Sequence, residues 1–266
     1  MQRRTFLLSL AGAPAFGQSK QERGKKIIDE AVTALGGRSF LEMKDRIEAG
    51  RAYSFYREQL SGLSHARIMT RYLTRPDPPR IDFFGLRERQ SFGKDKEDYA
   101  ILFTEKDGYT LTYRGARPVP PDMNERFRET TRRNIFYILR QRLGEPGMII
   151  EHEGSEIVDN MPVHAITITD AENLTTTVYF HQSTRLPVRQ QFVRRVEKTK
   201  DRFDELTRFA KYREVAGGIQ WPFQITRERN GEKIYEIFAE SVKINQGFDD
   251  SYFALSTGMK MLKPIN

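Results

Sequence analysis

The chain has 266 residues, 44 lysines and arginines against 36 aspartates and glutamates, a formal net charge of +8, and no cysteine. The lack of cysteine excludes disulfides, thiolate nucleophiles and thiolate metal sites. Residues of both charge signs are mixed along the chain, which favours a solvated surface over a dedicated nucleic-acid-binding patch. This length can bury a sizeable core within a single domain.

The first seventeen residues have the pattern of an export signal. Arg3 and Arg4 precede an uncharged run from Phe6 to Phe16, which is too short to span a bilayer permanently. The paired arginines fit either a twin-arginine signal or an ordinary Sec signal. Removing residues 1–17 leaves 42 basic and 36 acidic residues, a net charge of +6. We therefore expect a periplasmic or otherwise exported protein. We expect no lipid anchor, because a bacterial lipoprotein anchor is attached to a cysteine and the sequence has none.

The chain that follows begins with a predicted helix over residues 21–35. Ile27, Ile28, Ala31 and Leu35 recur there at helical spacing, and a Gly-Gly pair ends the pattern. A short helical turn is predicted at 40–43. From residue 45 the apolar period changes to two, which predicts strands over 45–55, 65–73, 80–90 and 99–113. The pair Asp107-Gly108 indicates a tight hairpin turn in the last of these.

One long helix is predicted over residues 123–143, between the proline-rich segment 118–121 and Gly144. Its apolar stripe includes Phe127, Phe136 and Leu139, and basic residues occupy much of the remaining surface. The second half is predicted as strands over 148–158, 162–169, 175–181, 186–196, 201–215, 219–229 and 233–245. Their short connections favour an antiparallel meander over βαβ units.

The predicted fold is therefore α+β and mostly β, with one large antiparallel sheet in a single domain over residues 18–266. A sheet with this many strands cannot stay flat, because strand twist makes it curl. We expect an open half-barrel whose concave face is covered by the helices.

Four segments of the second half, in order, carry a family pattern. They are 158–169 (VDNMPVHAITIT), 177–190 (TVYFHQSTRLPVRQ), 217–225 (GGIQWPFQI) and 245–253 (NQGFDDSYF). Together they resemble the LolA/LolB-like group of lipoprotein-sorting proteins and periplasmic lipid carriers, which also includes mycobacterial lipid-binding domains and envelope-stress sensor domains. Asn160, His181 and Arg185 depart from the glycine, aspartate and glycine of the group's pattern, which places this chain among its divergent members.

The resemblance implies an open half-barrel that holds acyl chains on its concave face, with helices as a lid. It implies an exported, non-enzymatic binder or carrier of lipid or lipidated protein, as in outer-membrane lipoprotein sorting. The alternative is an envelope interaction or sensor module that uses the same sheet to contact a protein partner. Neither function needs a cofactor, a metal or a nucleic acid.

The candidate ligand-binding residues are the large apolar side chains expected on the concave face or the lid. They are Phe127, Phe136, Leu139, Phe180, Trp221, Phe223 and Phe238, with Phe192 and Phe209 as further aromatic candidates. Arg132 and Arg133 could bind an anionic headgroup, since guanidinium groups match phosphate oxygens. The alternatives are a solid core for the apolar residues and a solvated surface for the two arginines.

No segment has the pattern of a known catalytic site. There is no Gly-x-Ser-x-Gly elbow, no His-Glu-x-x-His helix and no glycine-rich phosphate loop. The run Glu151-His152-Glu153 lies on a predicted strand, where the histidine points away from both glutamates. We therefore expect neither catalysis nor a metal site.

Overall fold

The structure is a computed structural model that describes residues 18–196 and 198–264. The predicted export signal, residues 1–17, lies outside the described residues.

The first half contains two helices and six strands. These are α1 (Lys20–Ala34), α2 (Arg38–Leu41), β1 (Asp45–Tyr56), β2 (Gln59–Tyr72), β3 (Leu86–Phe92), β4 (Tyr99–Phe103), β5 (Gly108–Thr112) and β6 (Gly115–Pro118). The middle contains α3 (Pro121–Arg132) and α4 (Ile135–Tyr137), which continues into a π-helical turn, Ile138–Arg142. The second half contains β7 (Ile149–Val158), β8 (Met161–Thr169), β9 (Thr175–His181), β10 (Pro187–Arg195), β11 (Arg202–Glu214), β12 (Gln220–Arg229) and β13 (Glu232–Ile244), with 3-10 turns at Ala216–Gly218 and Asp250–Phe253.

All thirteen strands form one antiparallel sheet in the order β6-β5-β4-β3-β2-β1-β13-β12-β11-β10-β9-β8-β7. The sheet therefore consists of two meanders, joined where β1 pairs with β13. It is curved and is not closed into a barrel, as predicted. Because β6 and β7 lie at opposite edges, the chain between them must cross one face of the sheet. Helices α3 and α4 make that crossing and cover the concave face.

The prediction of a helix over residues 21–35 is confirmed by α1. Ser19 and Glu22 form a reciprocal capping box at its start. Ile28 and Ala31 are buried against the concave face. Gly24 allows the helix to lie directly on β7, because a Cβ atom at this position would be only 2.9 Å from the carbonyl oxygen of Ile150.

The prediction of one continuous helix over 123–143 is wrong, since the helix breaks at Asn134. Asn134 has extended backbone angles (φ −71°, ψ 129°), and its side chain accepts hydrogen bonds from the backbone of Phe136 and Tyr137. The side chain of Gln190 on β10 accepts a third bond, from the Ile135 amide, at 2.9 Å. These acceptors replace the intrahelical partners, so a new helix begins and turns its apolar residues into the core.

Two strand predictions in the first half differ from the structure: the strand predicted over 80–90 begins only at Leu86, and the strand predicted over 65–73 begins earlier, at Gln59. The segment predicted over 99–113 forms β4 and β5, which pair as an antiparallel hairpin, as predicted. Strand β6 was not predicted. Gly108 lies in β5 and not at a positive-φ turn position; its small size matters because a Cβ atom would lie 2.7 Å from Val119.

The sheet has an apolar core on each face. On the concave face, the helices pack against a large cluster that includes Phe40, Phe180 and Trp221. On the opposite face, Phe253 of the C-terminal segment packs against Met69, Leu102 and Leu111, among other residues. The C-terminal segment is therefore docked on this face of the sheet.

Candidate functional site

A cavity of about 370 Å³ lies between the concave face and the crossing helices. Helix α3 forms one side, with Met123, Arg126, Phe127, Thr130 and Thr131. The sheet forms the floor, where strand alternation brings every second residue to the cavity. Floor residues include Ile68, Gln90, Phe92, Gln190, Phe192, Thr207, Ile225 and Ile237. This volume falls at the lower end of the range typical of small-molecule sites.

Helix α3 is held above the cavity at two points. Near its middle, the Phe127 ring stacks on Phe103 of β4, with 3.7 Å between the ring centres and an interplanar angle of 5°. Just after the helix, the guanidinium of Arg133 donates to the Val193 carbonyl of β10 at 2.7 Å. The helix therefore bridges strands from the two meanders, and the cavity lies under the bridge.

One end of the cavity is closed. Trp221 is 2% exposed, and its ring centre lies 4.6 Å from that of Phe136. The guanidinium group of Arg46 lies over the indole ring of Trp221, 4.1 Å from the ring centre, and donates a hydrogen bond to the Tyr72 hydroxyl at 2.8 Å. Arg140 lies over the Tyr72 ring at 4.4 Å and donates to the Met43 carbonyl, which attaches the π-helical turn to the closed end.

Two carboxyl groups, those of Glu48 and Glu88, lie near Arg46 at the closed end. Arg46 and Glu48, both buried, form an ion pair at 2.7 Å. Glu88 accepts hydrogen bonds from Gln90 at 2.6 Å and Thr70 at 3.3 Å, but has no ion pair within 4 Å among the described residues. Burial raises the pKa of Glu88, although the Gln90 bond and the charge of Arg46 oppose the shift.

The other end of the cavity is open and basic. Along β12 the cavity-facing residues change from the buried Trp221 to the half-buried Ile225 and the exposed Arg227. Arg229 follows on the same face and pairs with Glu205 at 3.0 Å. Arg126 of α3 contributes to the same end of the cavity.

Three of the seven predicted ligand-binding residues line this cavity: Phe127, Phe136 and Trp221. Phe192, one of the further aromatic candidates, also lines it. Leu139 and Phe180 are fully buried in the solid core, and Phe223 and Phe209 belong to the same cluster.

Phe238 does not line the cavity and lies on the opposite face of the sheet. Its neighbour Ile237 faces the cavity, and consecutive residues of a strand point to opposite faces. Phe238 contacts Tyr53 edge to face, with 5.9 Å between ring centres, and Lys211 lies over its ring. The placement of Phe238 on the concave face is thus corrected.

The two arginines predicted to bind a headgroup are also absent from the cavity lining. Arg133 is buried, forms an ion pair with Glu129 at 3.5 Å and lies over the Phe192 ring. Arg132 lies 3.7 Å from Glu172. Arg133 thus contacts β10, and Arg132 contacts the β8–β9 turn, so neither arginine contributes to the cavity lining.

The lining is about half polar. Of the 28 lining residues, 15 are aliphatic, aromatic or methionine and 13 are polar or charged. Several of the polar residues are paired with other protein groups, namely Arg46, Glu48, Gln90, Asn134 and Gln190. Arg126 and Arg227, in contrast, have no ion pair among the described residues, and a bare hydrocarbon would leave these two charges without an anion. The arrangement suits an amphiphilic ligand better than an entirely apolar one.

The described residues also include one serine–histidine contact. Ser155 Oγ lies 3.0 Å from His164 Nδ1, and Arg185 donates to His164 Nε2 at 2.9 Å. Because Nε2 accepts from an arginine, the neutral ring carries its proton on Nδ1 and donates to the serine. A histidine in this state cannot take the proton of Ser155, as nucleophilic catalysis would require.

Residues 18–196 and 198–264 contain neither a candidate metal site nor a membrane-spanning helix. No group of three or more His, Asp or Glu side chains there could hold a metal ion. In the same residues, every helix is too short or too polar to cross a bilayer.

No family model and no curated protein matches the sequence. Solved structures do match. A domain described as an outer membrane lipoprotein-sorting protein, from Vibrio parahaemolyticus, superposes with a TM-score of 0.56 and 12% identity over 88% of this chain and 97% of its own. A DUF1329 family protein from Desulfovibrio piger gives 0.57 and 13%, over 89% and 98%. A LolA superfamily protein from Nitrosomonas europaea gives 0.51 and 11%, over 87% and 97%.

These similarities extend over nearly the whole described chain at very low sequence identity. The protein therefore has the LolA-superfamily fold, and the family resemblance found in the four sequence segments is confirmed at the level of the fold.

Several cavity residues were missed by the sequence analysis, above all Arg46, Glu48 and Glu88. In β1, the period-two apolar pattern predicts a strand but does not say which face encloses a cavity. Arg46 and Glu48 face the cavity, while Ile47 packs on the opposite face. Two charged residues at alternate positions of a central strand were the available signal.

Proposed function

We propose that the protein binds an acyl chain of a lipid or of a lipidated protein in the cavity under α3, and carries it through the bacterial periplasm. The observation that carries the proposal is the cavity itself, which is open at one end and is lined by Phe92, Phe127, Ile225 and Ile237, among other residues. Sequestering an acyl chain from water is favourable by about 0.8 kcal/mol for each methylene group.

Two further observations support the proposal. The fold is shared with proteins described as lipoprotein-sorting and LolA-superfamily proteins. The first seventeen residues have the composition of an export signal, which would deliver the protein to the compartment where lipoproteins are sorted.

The test uses Trp221, the single tryptophan of the chain, as a reporter at the closed end of the cavity. Residues 18–266 are titrated with 9,10-dibromostearic acid, whose bromines quench indole fluorescence on contact, and with stearic acid as the unbrominated control. We expect saturable quenching by the brominated acid alone. Absence of saturable quenching would contradict the proposal and favour the envelope interaction module.

A matched control moves the reporter out of the cavity. In the double variant Trp221→Phe, Tyr113→Trp, the only tryptophan lies in the β5–β6 turn, where Tyr113 is 88% exposed. We expect dibromostearic acid to bind this variant without saturable quenching. Equal quenching at both positions would indicate non-specific adsorption instead of cavity binding.

A further inference from the structure

We propose that the open end of the cavity is an anion subsite formed by Arg126, Arg227 and Arg229, and that the ligand is an amphiphile whose carboxylate or phosphate lies there. This inference rests on the proposed binding of an acyl chain and adds the chemical class of the headgroup.

The three arginines come from two elements on different sides of the opening. Arg227 and Arg229 are two residues apart on β12, so both point to the concave face. Arg126 lies on α3, which forms the opposite side of the cavity. An anion between the helix and the strand would meet guanidinium groups from both.

The charges around this opening are not balanced. Glu205 is the only carboxylate within ion-pair distance of Arg229 among the described residues, and it is shared with Arg194 at 3.3 Å. The nearby Glu129 pairs with Arg133. Arg126 and Arg227 form no ion pair among the described residues. Glu88 and Asp122 lie in the surroundings of Arg227 and Arg126, respectively, but neither carboxylate is within ion-pair distance of these two arginines, so both guanidinium groups can still accept an anion.

Arg126 itself is half-buried, and no carboxylate of the described residues lies within ion-pair distance of it, although Glu205 and Asp122 are in its surroundings. Burial lowers its pKa, and the charges of Arg229 and Arg194 lower it further. A guanidinium group stays charged at neutral pH under such shifts. An anionic ligand would supply the missing counterion, because guanidinium groups bind carboxylate and phosphate oxygens in a two-pronged geometry.

The neighbouring residues explain why the anion would belong to an amphiphile. On β12, Ile225 precedes Arg227 by two residues and faces the same cavity, and Ile237 is its cross-strand partner on β13. A chain attached to the anion would therefore pass directly from the basic opening onto an apolar floor. The headgroup and chain of a single ligand would match this change in polarity.

The experiment compares ligands that share a twelve-carbon chain and differ in the headgroup. Dodecanoic acid, dodecyl phosphate and dodecanol each displace dibromostearic acid from the protein at pH 7.5, and displacement is read as recovery of Trp221 fluorescence. The proteins are the wild type, Arg126→Gln, and Arg126→Gln combined with Arg227→Gln. The control Arg38→Gln removes one charge from an exposed side chain that does not line the cavity.

We expect the double variant to bind dodecanoic acid and dodecyl phosphate about tenfold or more weakly than the wild type, and dodecanol unchanged. Arg38→Gln should match the wild type for all three ligands. An equal loss for dodecanol and the two anions would overturn the anion subsite and leave acyl-chain binding intact. If the wild type binds none of the three, acyl-chain binding fails, and the anion subsite fails with it.

Inorganic phosphate serves as a probe without a chain. We expect inorganic phosphate to displace dodecyl phosphate only at concentrations far above those at which dodecanoic acid displaces dodecyl phosphate. Competition at matched concentrations would show a site for free anions and would overturn the assignment of an amphiphile.

Discussion

The guanidinium carbon of Arg46 lies 4.1 Å from the centre of the Trp221 ring, so a charged group and the only tryptophan together close one end of the cavity. Arg46 is 8% exposed, and it neutralises Glu48 at 2.7 Å. A buried charge of this kind persists only if its partners stay in place, because an unpaired one is costly to bury. The closed end is therefore held by electrostatics as much as by packing.

We expect Arg46→Met to lower the free energy of unfolding by about 3–5 kcal/mol, because Glu48 loses its counterion within the core. Glu48→Gln should restore part of that loss when combined with Arg46→Met. The measurement is a double-mutant cycle in which urea denaturation is monitored by far-UV circular dichroism. Tryptophan fluorescence is unsuitable as the signal because the substitution alters the surroundings of Trp221. Strictly additive effects would show that the two side chains do not interact.

A second buried arginine anchors the end of the crossing helices. Arg142 donates to Glu145 at 2.7 and 3.0 Å and to Asp170 at 3.1 Å, and all three side chains are buried. We expect Arg142→Met to cost about 3–5 kcal/mol in unfolding free energy, since two carboxylates lose their partner. Arg38→Met, which breaks the exposed pair with Glu42, should cost less than about 1 kcal/mol. Similar costs for the two variants in urea denaturation would contradict this account.

The break at Asn134 yields a third prediction. Asn134→Ala removes the acceptor for the amides of Phe136 and Tyr137, and we expect a loss of about 1 kcal/mol in unfolding free energy. Asn134→Asp keeps an acceptor oxygen and should lose less. Thermal and urea unfolding of the two variants measure the difference. A loss as large for aspartate as for alanine would mean that the side-chain acceptor does not stabilise the break.

Glu88 makes stability depend on pH. Its pKa in the folded protein is raised above the ordinary value of 4.5 by burial, so the folded state holds the proton more tightly than the unfolded state. Stability should therefore fall as pH rises from 4.5 through the raised pKa. Arg46, Arg227, Glu48 and Tyr235 carry the other ionisable groups that face this carboxyl.

In Glu88→Gln no proton is lost in this range, so that part of the pH dependence disappears. We expect this variant to have the wild-type melting temperature near pH 4 and a higher one at pH 8, measured by differential scanning calorimetry at both values. A variant less stable than the wild type at pH 8 would show that the charged carboxylate stabilises the fold through Arg46.

Much of the fold could be predicted because local patterns are sufficient for it. Period-two alternation with short turns identified the strands of the second half, and the capped, amphipathic segment around Ile28 identified α1. The break at Asn134 could not be predicted in the same way. Asparagine is tolerated inside helices, and one of the acceptors at this break, Gln190, comes from a strand more than fifty residues away.

The sequence by itself determined the type of structure: an antiparallel meander with few helices, and the aromatic residues from which a binding surface could be made. The tertiary structure decided which residues form the site. Both faces of the sheet are covered, one by the helices and the other by the C-terminal segment around Phe253. Alternation along a strand reveals two faces but cannot say which of them encloses a cavity. Arg46 and Arg126, which are distant in the sequence, became parts of one site only because the chain crosses from β6 to β7 over the concave face.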